Sequence, residues 1–225
     1  MTDQELKEEL KNKIVRENLE AYRSIRDVFN TDYGINELSY LKRRIEYCII
    51  YDEFLSAMLT TNYLLEYFCK ISLIYNYVNK NEKENITIDS HPFAPTEELE
   101  IPTDLYDEKI LGNNIDKMKK EGLIDENDFD QLVFFKNIYR NILSHANRKK
   151  LYENISIPIE SITIENDELV SKGIKFEKLY LMPFADFKFL DVFTKQNCIP
   201  YFLELHTIIM KVVEKIITKN ELPNN

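Results

Sequence analysis

The sequence predicts a mainly α-helical protein: a helical bundle with a small β-hairpin between a late helix and the C-terminal helix. Three observations carry this. Apolar residues recur at three- and four-residue spacing over most of the chain. Glycine is scarce, with only 4 in 225 residues, which disfavours folds built on tight turns and favours long helices. Only one segment, 155–182, switches to the two-residue alternation of a strand.

Taken in order, residues 4–29 place Leu6, Leu10, Ile14, Leu19, Tyr22, Ile25 and Phe29 at helical spacing, and the stretch "NTDYG" ends that helix. A second helical region starts near Asn36 and runs, with or without a break, to about Asn79. Phe54, Met58, Leu65, Phe68, Ser72 and Tyr75 mark one buried stripe in it, widened by Leu64, Ile71 and Val78. Residues 80–104 are polar and contain Pro92, Pro95 and Pro102, so no helix continues through them and a loop insertion is expected. A short helix then ends near Gly122. The acidic run "DENDFD" suits the start of another, whose apolar face is Phe129, Leu132, Phe135, Tyr139, Ile142 and Ala146. In 155–182 the alternating isoleucines predict a hairpin or three short strands, with a turn at Gly173. The stretch "PYFLELHTIIMKVVEKIITK" closes the chain as an amphipathic helix, with His206 as a packed helix histidine. The whole reads as a single domain over 1–225.

The formal net charge of -10 argues against a surface that coats nucleic acid nonspecifically, while leaving room for a small basic site. Cys48, Cys69 and Cys198 are odd in number, widely spaced and set in apolar segments, as structural thiols of a reducing compartment are. No Cys/His cluster has metal-ligand spacing, so neither metal nor cofactor is expected. The N-terminus is charged and amphipathic rather than a leader, and Glu66 and Lys70 interrupt the most apolar stretch. A cytoplasmic protein with no membrane partner is expected.

One stretch stands out from this acidic background. "FKNIYRNILSHANRKK", Phe135 to Lys150, holds His145 among five basic residues and no acidic one. On a regular α-helix Asn141 and His145 share a face, as do Arg140 and Ser144, while Arg140 and His145 stand about 140° apart. Arg140 has to curl across the helix to meet the imidazole. Imidazole moves protons near neutral pH, arginine holds a phosphate through paired hydrogen bonds, and asparagine orients either without adding charge. Cleavage of RNA by its own 2′-hydroxyl needs these groups and no metal. The bland alternative is a solvated basic helix end complementing the helix dipole.

"RNILSH", Arg140 to His145, resembles the R-x4-6-H signature of HEPN domains (higher eukaryotes and prokaryotes nucleotide-binding), in which a polar residue commonly follows the arginine. The layout around it, over about 40–152 and 195–219, is similar to that family's helical bundle. The 80–104 loop and the 155–182 segment look like embellishments. The resemblance implies a metal-independent endoribonuclease acting on RNA, a toxin or anti-phage defence effector, and a homodimer whose two motifs meet in one cleft. It implies Arg140 and His145 as the catalytic pair and Asn141 as polar helper. Glu66 is a candidate to orient Arg140. Tyr139, Ser144, Asn147 and Arg148 are candidate substrate contacts, with Lys149 and Lys150 steering phosphate. The competing expectation is a noncatalytic nucleotide- or RNA-binding or interaction module, in a toxin–antitoxin or defence complex with an antitoxin or other partner.

Overall fold

In the computed structural model the described residues are 4–5, 23, 25–81, 103, 105–144, 156–165, 168–178 and 183–221. Residues 25–29 are helical, as the apolar spacing requires, and end at a turn over 30–35. There Asp32 Oδ1 accepts from the Gly34 amide at 3.1 Å and the Ser39 hydroxyl at 2.9 Å, an Asx-type turn. Lys42, only 3% exposed, closes the end of this first helix by donating to the Val28 and Phe29 carbonyls at 3.3 and 3.0 Å.

Helix α1 (Asn36–Ile50) buries Leu38, Leu41, Ile45 and Ile49, and helix α2 (Phe54–Asn81) follows after three residues. The break expected only as an option is therefore present. Asp52 takes a left-handed φ of 62°, its amide bonds to Ile49 O at 3.2 Å and that of Glu53 to Cys48 O at 2.8 Å. That is the paired closure usually built on glycine. Along α2, Phe54, Met58, Leu64, Leu65, Phe68, Ser72 and Val78 are buried, whereas Ile71 and Tyr75 are only half-buried.

Helix α3 (Leu111–Lys120) sets Leu111, Ile115 and Met118 inward. Gly122, at φ 73°, ends it: its amide bonds to Lys119 O at 3.0 Å and that of Leu123 to Met118 O at 3.0 Å, while Leu123 and Met118 are both buried. Helix α4 (Glu126–Phe135) starts on Asp125, whose carboxylate accepts from the Asp128 amide at 2.8 Å. That bond lowers the Asp125 pKa. Asp128 in the first turn is buried and takes Lys211 Nζ at 2.7 Å.

The helix does not continue regularly. Residues Lys136–Arg140 form a π-helical turn, with the Asn141 amide reaching back to Lys136 O, before α5 (Asn141–Ser144). Strands β1 (Ser156–Glu165) and β2 (Glu168–Lys178) pair antiparallel. Gly173 does not turn the chain: it lies inside β2, where the register slips between Glu160 and Ile162. Helix α6 (Pro183–Glu221) passes through Pro200 instead of starting there. Pro200 is exposed, so the carbonyl of Gln196, deprived of its donor, lies on the solvent side of the helix. Lys80 and Asn81, expected to open the loop, still belong to α2; apart from them and Thr103, the 80–104 segment lies outside the described residues, as does most of 4–29.

The core runs between α2 and α6, flanked by α1 and α3. Among the described residues no helix is long and apolar enough to cross a membrane. The Tyr33 hydroxyl and His206 Nδ1 share a 2.9 Å hydrogen bond that ties the turn after the first helix to α6. Burial, and to a lesser degree Lys42, lowers the His206 pKa. A histidine depressed in the folded state contributes stability above its ordinary value of 6.5 and loses it as pH falls toward the folded value. Thermal unfolding at pH 7.5 and pH 5 checks this: His206→Gln should lose less stability on acidification than the wild type.

Gly122→Ala gives a second test. Nothing crowds a Cβ there, so the left-handed backbone alone sets the cost. Urea unfolding should show a loss of about 1 kcal/mol with an unchanged slope.

Candidate functional site

Arg140 stands at the last position of the π-helical turn, where it reaches α2. Its Nε donates to Glu66 Oε1 at 2.7 Å and its Nη1 to Asn141 Oδ1 at 3.1 Å. The two charged side chains are 25% and 32% exposed, so the pair lies at the surface with one flank against the core. An exposed pair of this kind contributes little stability. Its effect is geometric: two bonds from different elements fix the plane and direction of the guanidinium.

The anchor beneath it is aromatic. Tyr139 is only 8% exposed and packs on Tyr201, ring centroids 4.6 Å apart, and on Phe135 at 6.0 Å. Its hydroxyl donates to Asn197 Oδ1 at 3.4 Å, and Asn197 Nδ2 donates to the Phe193 carbonyl at 2.8 Å. Burial raises the Tyr139 pKa, so the phenol stays protonated. Tyr201, 1% exposed, sends its hydroxyl to Asn62 Oδ1 at 3.0 Å. Asn62 and Glu66 lie four apart on α2, so one helix face carries both the buried anchor and the carboxylate that meets Arg140.

The structure thus brings Arg140, Asn141 and Glu66 together and withdraws Tyr139. A substrate contact was expected of Tyr139; as a ring with four aromatic neighbours it belongs to the core. Angles calculated for a regular α-helix also need correcting, because the i→i+5 bond at Asn141 changes the rotation per residue through 136–140. Arg140 turns toward α2 and joins Glu66. The backbone of Ser144 closes α5. The Ser144 side chain and residues His145, Asn147, Arg148, Lys149 and Lys150 lie outside the described residues. Asn62, Asn197 and Tyr201 were not singled out from the sequence. An amide inside the apolar stripe of α2, at Asn62, was the available signal.

The Asn62–Tyr201 bond yields a direct test. Tyr201→Phe leaves Asn62 Oδ1 buried without its donor, next to an Asn62 Nδ2 that already has no partner. Chemical denaturation should show a loss of about 1–3 kcal/mol.

Compared with known proteins, the chain matches no family model, no curated protein and no solved structure.

Proposed function

We propose that the protein is a metal-independent endoribonuclease of HEPN type, working as a homodimer in a toxin or anti-phage role. The observation that carries this reading is the fixed Arg140 guanidinium, held by Glu66 at 2.7 Å and Asn141 at 3.1 Å within the RNILSH stretch that closes the π-helical turn. π-Helical turns are frequent at functional sites.

In this reading the 2′-oxygen of a ribose attacks the adjacent phosphorus and its proton passes to the His145 imidazole. The bond from phosphorus to the 5′-oxygen breaks, and that oxygen takes a proton from an imidazolium. The products are a 2′,3′-cyclic phosphate and a 5′-hydroxyl. Arg140 stabilises the charge that builds on the equatorial oxygens of the pentavalent phosphate, and Asn141 positions the guanidinium. A two-fold dimer would supply a second imidazole, so that one takes the proton while the other gives it. The 80–104 loop and the 155–182 segment are additions to the bundle in this reading, and no metal ion or cofactor takes part.

A second reading is a noncatalytic RNA- or nucleotide-binding module, which could serve in a toxin–antitoxin or defence complex. What favours it is the Glu66 carboxylate itself, which compensates the Arg140 charge.

Incubation of full-length protein with total RNA in excess chelator, followed by end-group analysis, tests the enzyme. Wild type should leave cyclic-phosphate ends, and His145→Ala should cut at least about 100-fold more slowly while keeping its thermal midpoint. Equal cutting by both would sink the assignment. Glu66→Gln should change stability by less than about 1 kcal/mol while lowering the cleavage rate, because the neutral amide holds the guanidinium less firmly.

A further inference from the structure

One turn before Glu66 on α2 stands Tyr63, an aromatic residue that is 58% exposed on a helix whose opposite side forms the core. Residues three apart on a helix have Cβ atoms about 5–6 Å from each other, so the Tyr63 side chain leaves α2 beside that of Glu66, which holds Arg140. The ring is not loose: it lies against Tyr67 at 6.2 Å between centroids with planes 22° apart. Tyr67 is half-buried, and burial pushes its phenol up to about 12, so the supporting ring is neutral. One face of Tyr63 is therefore backed by protein. The exposed seam continues through Leu59 and Leu55, 43% and 37% exposed.

We infer that Tyr63 is the stacking platform for a nucleobase next to the phosphate held at Arg140, which makes single-stranded RNA the substrate class. The inference rests on the ribonuclease reading. An aromatic face accepts any base, and a stacked base fixes the backbone beside it without reading sequence. A base paired in a duplex has no free face for the ring, so the same geometry disfavours double-stranded RNA. Tyr40 and Tyr47 on α1, and Tyr51 just after it, are equally exposed, but none of them stands one turn from Glu66.

The test uses the full-length chain and a fluorescent single-stranded 2′-O-methyl RNA, which has no free 2′-hydroxyl and is not cut. Tyr63→Ala should weaken its binding by about 5- to 100-fold, and Tyr63→Phe should stay within about threefold of wild type. Removing one base from the strand should cost wild type as much as Tyr63→Ala does, and should cost that variant little more. Tyr63 is exposed in mid-helix, so alanine does not endanger folding. Binding that is unchanged in Tyr63→Ala, or lost equally in Tyr47→Ala, overturns the inference and leaves the ribonuclease reading standing. A switch of Tyr63→Ala from dimer to monomer in light scattering, with binding restored at high protein concentration, assigns the seam to chain–chain contact and also overturns it. Failure of the wild type to bind the strand at all overturns both readings.

Discussion

Tyr201 is wedged between α2 and the π-helical turn, its hydroxyl bonded to Asn62 and its ring against Tyr139 and Phe135. The position of Arg140 depends on this contact. The buried hydrogen bond fixes the height of α6 along α2, and the ring sets how closely the turn approaches. Since Tyr139 immediately precedes Arg140, locking the tyrosine into the core leaves the next side chain only the adjoining surface to cover. Glu66 stands there, one helical turn from Asn62. A flexible charged group is thus placed by a rigid aromatic one, and its bonds to Glu66 and Asn141 then set the direction of the guanidinium.

The charge pattern follows from the same placement. The chain is acidic overall, and several cations among the described residues are paired with carboxylates: Lys70 with Asp107, Lys119 with Glu126, Lys211 with Asp128. Arg140 belongs to this pattern through Glu66, and it directly follows Tyr139, whose ring lies in the aromatic core. In the proposed function, a phosphate arriving there would meet an arginine already oriented by Glu66 and Asn141, and would compete with Glu66 for its donors. Geometry is gained at the expense of net positive charge.

Much of the architecture could be read from residue spacing, because burial of an apolar stripe is a local property of a helix. Leu38, Ile45, Phe68, Leu132 and Ile208 fall inward wherever the 3.6-residue period puts them. The breaks were harder to read. Gly122 announces its left-handed turn, but Asp52 adopts the same conformation without the residue type that signals it. Pro200 suggested a helix start because its ring breaks helices in general; its exposure permits the chain to continue. The π-helical turn has no composition of its own, since it is a pattern of backbone hydrogen bonds. In the candidate site, Arg140 and Asn141 were visible as a motif. Glu66, 74 residues earlier, was already a candidate to orient Arg140; the contact itself needed the fold, and so did Tyr63, whose meaning comes from its place beside Glu66.

The π-helical turn has a genetic side as well. A residue gained within a helix ordinarily rotates everything after it by about 100°, exchanging buried and exposed faces. Held in a local widening, the extra residue is absorbed where it occurs, and Ile142 beyond it still faces the core. The reverse event, loss of one codon between Lys136 and Arg140, would restore a regular helix and leave each remaining side chain chemically intact. Because the widening takes up the difference, Asn141 and Ile142 beyond it would keep their faces, and the change would fall on the turn alone. The stretch that follows the turn is thereby insulated from a single codon gained or lost within it.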